Sequence, residues 1–124
     1  MSRILIIEDD LQMLEMLRHS LKRQGYDVIG TLNGDEAMIL YQKMEFDLII
    51  TDLFLPDTQG LEIILKLRKE GNLKIIAVSG GLGSLEMARR MGAHYSFSKP
   101  FSLNELSTAV KELLSENYTY QEAV

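Results

Sequence analysis

Short runs of Ile, Leu and Val alternate along this sequence with longer stretches of helical periodicity, and this alternation limits the fold more than any other feature. The apolar runs lack alternating polar residues and occupy residues 4–7, 28–30, 48–50, 75–78 and, more weakly, 95–97. Continuous apolar runs of this length are typical of strands buried on both faces of a parallel sheet. The sequence therefore predicts five parallel strands joined by helices.

The stretches that follow the strands have apolar residues at helical spacing and carry signals for helix ends. Asp10 is the predicted N-cap of the first helix and Gly25 its C-terminal stop. Ser102 and Glu105 form a predicted capping box for the last helix. The predicted helices cover residues 11–24, 35–44, 60–70, 84–91 and 103–114. This order of elements predicts a doubly wound α/β fold, a five-stranded parallel sheet with five helices on its two faces.

Composition excludes several classes of function. The chain has no cysteine, which excludes disulfides, thiolate metal sites and cysteine nucleophiles and favours a cytoplasmic location. Its net charge of −5 is opposite in sign to that of a small nucleic-acid-binding domain, so we expect no direct nucleic-acid binding. No apolar stretch approaches the ~20 residues of a membrane-spanning helix, and we expect no membrane insertion.

The length of 124 residues is enough for one sizeable hydrophobic core and not for two. We expect one domain over residues 1–117 and a C-terminal tail over residues 118–124. The chain is too short to hold a second domain after the first. We therefore expect either a stand-alone domain or a piece excised from a longer protein.

Polar residues capable of chemistry stand where the predicted strands end. Glu8 and Asp9 follow the first strand, Asp52 the third, Ser79 the fourth and Lys99 the fifth. In a parallel sheet these ends share the carboxyl edge, where open α/β sheets bind ligands. We therefore expect these five residues, distant in sequence, to converge in space.

A cluster of carboxylates needs compensation for its charge. Two unit charges ~4 Å apart repel by about 4 kcal/mol at an effective dielectric constant near 20. A proton, a bound cation or Lys99 must offset this repulsion. Carboxylate oxygens with no Cys or His nearby favour Mg²⁺ over zinc. A metal, a lysine and a serine hydroxyl around one carboxylate suit a phosphoryl group that the carboxylate accepts as a nucleophile.

Four of these five residues, taken singly, have an ordinary structural explanation. Glu8 and Asp9 fit helix capping as well as chemistry. Ser79 and Lys99, taken singly, are typical of strand ends and solvated loops. Asp52 is harder to explain structurally, because it lies between two apolar runs. The functional interpretation depends on the combination of all five.

Four segments together resemble the receiver domain of bacterial response regulators in two-component signalling, of the single-domain chemotaxis type. The resemblance runs from Arg3 to about Glu116. The segments are ILIIEDD at 4–10, LIITDLFLPDTQG at 48–60, IIAVSGG at 75–81 and GAHYSFSKPF at 92–101. The resemblance implies a flavodoxin-like fold with strand order 2-1-3-4-5.

The resemblance also implies a role for each acidic residue. Asp52 would be the phosphoacceptor that becomes an aspartyl phosphate. Asp9 would bind Mg²⁺ directly, Glu8 directly or through water, and the backbone carbonyl of Phe54 would be a further ligand beside Asp52. The donor would be the phosphohistidine of a sensor histidine kinase or phosphotransfer protein. The domain would catalyse its own phosphotransfer and dephosphorylation and would signal to a downstream protein by a conformational switch.

Other residues are implied to contact the phosphoryl group. Ser79 would donate its hydroxyl, and Lys99 would pair with the phosphoryl oxygens. The backbone N–H groups of Leu53 and Gly80 would contact the same oxygens. The Lys99-Pro100 peptide bond is often cis in this family, and a small trans preference at X-Pro bonds permits this.

Two features depart from the family pattern. Many receivers have an aromatic residue where this chain has Ser96. Tyr95 and Phe97 flank it and are expected on the opposite face of the strand by alternation. Residues 80–83 include three glycines, which predicts either a mobile connection or a phosphate cradle.

Four other functions belong to different classes. A pseudo-receiver would act only as an interaction module. A flavodoxin-like cofactor binder shares the fold, but the acidic edge disfavours the phosphate of FMN. A hydrolase of the haloacid-dehalogenase kind usually has a second Asp two residues after its nucleophile, where this chain has Phe54. A Ser-His-Asp hydrolase is disfavoured, because His19 lies on the first helix and His94 is expected at the surface before a strand.

Overall fold

The structure is a computed structural model that describes residues 1–58, 60–71, 73–80 and 84–115. The strands are β1 (Arg3–Ile7), β2 (Asp27–Thr31), β3 (Leu48–Asp52), β4 (Lys74–Ser79) and β5 (Tyr95–Ser98). The helices are α1 (Leu11–Arg23), α2 (Gly34–Lys43), α3 (Gly60–Glu70), α4 (Ser84–Met91) and α5 (Leu103–Leu113). All ten predicted elements are confirmed, and the predicted tail over 118–124 lies outside the described residues.

All strand pairs in the sheet are parallel, and their order is β2-β1-β3-β4-β5. The predicted doubly wound fold is therefore confirmed. The chain leaves β1 toward β2 on one side and returns to β3 on the other, so the strand order reverses between β1 and β3. A crevice forms at such a reversal, outside the carboxyl ends of the strands. The segments after β1 and β3 meet there.

The sheet separates two hydrophobic clusters, which explains why the strands lack polar alternation. Ile4 and Ile6 of β1 pack toward α1 and α5. Leu5 and Ile7 pack on the opposite face, in the cluster that includes residues of α2, α3 and α4. Both faces of the central strands are therefore buried, as expected for a parallel sheet covered on both sides.

The helix ends follow the predicted signals. Asp10 caps α1, because its Oδ1 accepts a hydrogen bond from the Gln12 N–H at 3.0 Å. Gly25 follows the end of α1 with φ of +98°, a conformation that favours glycine. Ser102 Oγ accepts from the Glu105 N–H at 3.3 Å and caps α5. The longest helix among the described residues, α1, has 13 residues, and none of the helices described has the length and apolarity to cross a membrane.

His94 is buried, so its expected place at the surface is wrong. The residue is 8% exposed and immediately precedes β5. Its ring Nδ1 accepts a hydrogen bond from the Ile75 N–H at 3.1 Å, and its backbone N–H donates to the Ile75 carbonyl at 2.7 Å. Burial and the positive charges of Arg68 and Lys74 lower the pKa of His94 to about 4. The neighbouring strand therefore satisfies Nδ1 of the neutral ring.

Candidate functional site

The carboxyl edge of the sheet collects the polar residues that the sequence singled out. Glu8 directly follows β1, Asp52 ends β3, Ser79 ends β4 and Lys99 directly follows β5. One carboxylate oxygen from each of Glu8, Asp9 and Asp52 lies within 4.8 Å of the other two. Parallel topology therefore brings Asp52 next to Glu8 and Asp9, from which it is separated by more than 40 positions in the sequence.

Lys99 bridges two of the carboxylates. Its Nζ lies 2.6 Å from Glu8 Oε1 and 2.6 Å from Asp52 Oδ2. The side chains of Glu8 and Asp52 are 1% and 6% exposed, whereas that of Lys99 is 24% exposed. The lysine thus supplies charge compensation from the solvent side of a buried acidic pair.

The protonation of Glu8 provides further compensation. Burial raises the pKa of Glu8 to about 7, and the nearby Asp52 carboxylate adds to this rise, although the hydrogen bond from Lys99 opposes it. For Lys99, burial lowers the pKa, but the two carboxylates outweigh burial and raise it above its ordinary value. Lys99 therefore stays charged at neutral pH, while Glu8 exchanges a proton in this range.

The backbone after β3 holds the second oxygen of Asp52. The Phe54 N–H donates to Asp52 Oδ1 at 2.9 Å, while Lys99 holds Oδ2. Gly60, the first residue of α3, donates its N–H to the Leu53 carbonyl at 2.9 Å. A Cβ at Gly60 would lie 2.3 Å from the Asp52 carbonyl oxygen, so only glycine allows α3 to approach this closely.

Backbone contacts between β4 and β5 fix the position of Lys99. The Lys99 N–H donates to the Ser79 carbonyl at 2.8 Å, and the Lys99-Pro100 bond is cis as expected. Ser79 is fully buried at the end of β4. Its predicted hydroxyl contact with a phosphoryl group stays a prediction.

The two predicted backbone donors differ in their surroundings. The Leu53 N–H donates to the Val78 carbonyl at 3.1 Å, so in this arrangement it does not face a phosphoryl position. The N–H directed at the Asp52 carboxylate is instead that of Phe54, which sequence reasoning named only for its carbonyl. Gly80 lies exposed after β4, and its phosphoryl contact stays a prediction.

The departure at Ser96 has a defined structural form. Tyr95 and Phe97 both pack against the cluster on the side of α1 and α5, with ring centroids 6.4 Å apart. The predicted alternation is therefore confirmed. Ser96 pairs with Ala77 on β4, and the opposite face of β5 carries no aromatic ring at this position. The rest of the glycine-rich connection, residues 81–83, lies outside the described residues.

The chemistry of the acidic donors suits a hard divalent cation. Glu8, Asp9 and Asp52 supply only carboxylate oxygens, and Asp9 is exposed to solvent while the other two are buried. Mg²⁺ binds through one or two carboxylates and keeps several waters or phosphate oxygens. The exposed Asp9 leaves one side of the cluster open to such ligands.

Comparisons with known proteins agree with this fold. A family model described as "Response regulator receiver domain" matches residues 4–111. The solved structure of response regulator TrrA from Thermotoga maritima in complex with Mg²⁺-BeF is 31% identical, with 92% of this chain and 100% of that chain covered and a TM-score of 0.84. The receiver domain of the TMAO respiratory system response regulator TorR is 33% identical, with coverage of 92% and 97% and a TM-score of 0.87.

A curated relative is longer than this chain. The "Uncharacterized transcriptional regulatory protein YcbL" of Bacillus subtilis (strain 168) is 29% identical over 118 residues, which are 94% of this chain. The matched region spans about half of that relative, 52% of its length. The match of the family model over most of the sequence, with the site geometry above, leads to one conclusion: this chain belongs to the response regulator receiver domain family.

Proposed function

We propose that this receiver domain accepts a phosphoryl group on Asp52 from the phosphohistidine of a sensor histidine kinase or phosphotransfer protein. The arrangement of Asp52 carries this proposal. Its buried carboxylate has one oxygen bound to the Lys99 ammonium and the other to the Phe54 N–H, with Glu8 and Asp9 beside it. Such a carboxylate is held in a fixed orientation, its charge is compensated, and it lies next to the acidic residues to which we assign a cation.

The transfer step is a nucleophilic displacement at phosphorus. A carboxylate oxygen of Asp52 forms a bond to phosphorus while the P–N bond to the donor imidazole breaks. The electron pair returns to the ring nitrogen, and a donor ring protonated on its other nitrogen leaves as neutral imidazole. Lys99 then pairs with the phosphoryl oxygens, and the Ser79 hydroxyl donates to them.

The acidic residues would hold the metal for this reaction. Glu8, Asp9 and Asp52, with the Phe54 carbonyl, are the ligands that we assign to Mg²⁺, with Glu8 bound directly or through water. When bound there, Mg²⁺ would offset the charge of the carboxylates and of the transferring phosphoryl oxygens. The TrrA complex with Mg²⁺-BeF supports this assignment by similarity.

The conformational signal depends on the charges of Lys99, Glu8 and Asp52. An aspartyl phosphate brings additional negative charge and acceptor oxygens next to Lys99, which now pairs with Glu8 as well. The Lys99–Glu8 pair must then rearrange, and this starts the conformational change. The change reaches a downstream protein through the surface formed by residues 84–91, 95–98 and 102–114. Because position 96 in β5 is a serine, no aromatic ring at that position takes part. We place this signalling, and dephosphorylation by the same site, in the cytoplasm.

Intact-mass measurement after incubation with acetyl phosphate and Mg²⁺ tests the proposal. The wild type should gain the mass of one phosphoryl group, and Asp52→Asn should gain none. Asp10→Asn is a matched control next to the site, because asparagine preserves the cap of α1 and the charge change is the same. An undiminished gain in Asp52→Asn would reject the phosphoacceptor. A wild type with no gain would favour the pseudo-receiver alternative, and steady hydrolysis of a phosphate ester would favour the hydrolase.

A further inference from the structure

Asp57 lies in the connection between β3 and α3, yet its carboxylate binds the start of α2. Its Oδ1 accepts a hydrogen bond from the Gly34 N–H at 3.0 Å, and its Oδ2 accepts one from the Asp35 N–H at 2.7 Å. The N-cap residue Asn33 satisfies the next N–H of the helix. Two of the N–H groups that a helix start leaves without intrahelical partners are thus bound by a residue more than 20 positions away.

The contact between this connection and α2 is close as well as polar. A Cβ at Gly34 would lie 2.2 Å from Thr58 Cγ2 and 3.0 Å from Ile63 Cδ1. Gly34 therefore permits the approach that lets Asp57 reach both N–H groups. These N–H groups hold the pKa of the Asp57 carboxyl below its ordinary value, so the side chain is ionised at neutral pH and suits the positive end of the helix dipole.

The same connection orients the phosphoacceptor. Phe54 lies three residues before Asp57 and donates its N–H to Asp52 Oδ1 at 2.9 Å. At the other end of the connection, the Gly60 N–H binds the Leu53 carbonyl. The Asp57 carboxylate ties the middle of this segment to α2, which is not the helix that the segment leads into.

The start of α2 is also linked by hydrogen bonds to the segment after β1, which carries Glu8. The Glu8 N–H donates to the Thr31 carbonyl at 3.1 Å, at the end of β2. The Thr31 hydroxyl donates to the Asn33 carbonyl at 3.3 Å, which links β2 to the cap of α2. Asp57 therefore closes a path of contacts from the segment that carries Glu8, through the start of α2, to the segment that carries Asp52.

We propose that Asp57 is a positioning residue for the phosphoacceptor site. By fastening the β3–α3 connection to α2, it holds the backbone of Phe54, whose N–H orients Asp52 and whose carbonyl we assign to the metal. The part of this inference that concerns phosphotransfer rests on the proposed function, whereas the part that concerns the Phe54 backbone does not.

Three variants separate positioning from simple helix capping. Asp57→Ala removes both acceptors, and Asp57→Asn keeps one of them, so its effects should be intermediate. Asn33→Ala is the matched control, because it weakens the start of the same helix without loosening the β3–α3 connection. All measurements are made well below the unfolding temperature of the least stable variant.

Amide hydrogen exchange of Phe54 in the metal-free protein gives a readout independent of phosphorylation. The Phe54 N–H should exchange several-fold faster in Asp57→Ala than in the wild type, and Asn33→Ala should leave it unchanged. Calorimetric titration with Mg²⁺ should show an affinity lower on the order of tenfold in Asp57→Ala, the range of other outer contacts at metal sites. The phosphorylation rate with acetyl phosphate should fall in parallel.

Equal Phe54 exchange and equal Mg²⁺ affinity in Asp57→Ala and Asn33→Ala would overturn the positioning role. If Asp57→Ala does not fold, the same comparison with Asp57→Asn decides. A wild type that is not phosphorylated would refute the proposed function, while the exchange of the Phe54 N–H still decides the role of Asp57.

Discussion

Replacing Lys99 with methionine should destabilise the protein, because the repulsion between the carboxylates of the acidic cluster is then no longer compensated. At the observed 2.6 Å from each of Glu8 and Asp52, the gross Coulomb attraction is about 6 kcal/mol per pair at an effective dielectric constant near 20. Desolvation of the three charges offsets much of this, and removal of one partner of a buried pair costs about 3–5 kcal/mol. Lys99 is partly exposed, and Glu8 takes up a proton near neutral pH. We therefore expect Lys99→Met to lower the free energy of unfolding by about 3 kcal/mol, the low end of this range.

Urea unfolding at pH 7 without divalent cations measures this loss. Lys66→Met, at an exposed position of α3, is the control for loss of a lysine charge. Lys99→Met should lower the midpoint with an unchanged slope, because the surface exposed on unfolding is the same. Added Mg²⁺ should stabilise Lys99→Met more than the wild type, because the cation then replaces the ammonium. A Lys99→Met protein as stable as Lys66→Met would refute the reasoning.

Three further measurements test other parts of the structure. As pH falls from 6.5 to about 4, the free energy of unfolding of the wild type should fall by up to about 3 kcal/mol relative to that of His94→Asn. The reason is that the unfolded state protonates His94 at a higher pH than the folded state does. Urea midpoints that change with pH in the same way in both proteins would contradict this. Gly60→Ala should destabilise the protein by about 1–3 kcal/mol in urea unfolding, because the added Cβ meets the backbone of Asp52. Gly71→Ala should not destabilise it, because a Cβ there points into open space. Equal urea midpoints for the two variants would exclude the contact at Gly60. Asp9→Asn should stabilise the metal-free protein and weaken Mg²⁺ binding, and equal thermal shifts with Mg²⁺ in both proteins would exclude a ligand role.

The fold was predictable because its signals are local and repeated. The run from Ile4 to Ile7 is apolar on both faces, which few structures other than a central parallel strand can bury. Once the strands are parallel, the topology itself places Glu8, Asp52 and Lys99 at one edge. The convergence of the site therefore needed no knowledge of side-chain geometry.

The contacts that depend on side-chain direction were not predictable. The carboxylate of Asp57 reaches Gly34 across 23 positions, and no periodicity signals such a contact. His94 looked like a polar residue in a connection, but an N–H of the neighbouring strand binds its ring Nδ1. The orienting N–H of Phe54 depends on the backbone path after β3, which propensity does not specify.

Glu8 and Asp52 share the Lys99 ammonium, so a change of charge at either carboxylate alters the attraction that holds Lys99 in place. Protonation of Glu8 would weaken its pairing with Lys99, and a cation held as we propose would compete with Lys99 for both carboxylates. Under the proposed function, a phosphoryl group on Asp52 would likewise draw the Lys99 ammonium away from Glu8. If both proposals hold, we expect pH, divalent ion concentration and phosphorylation to be coupled through the position of the Lys99 Nζ atom.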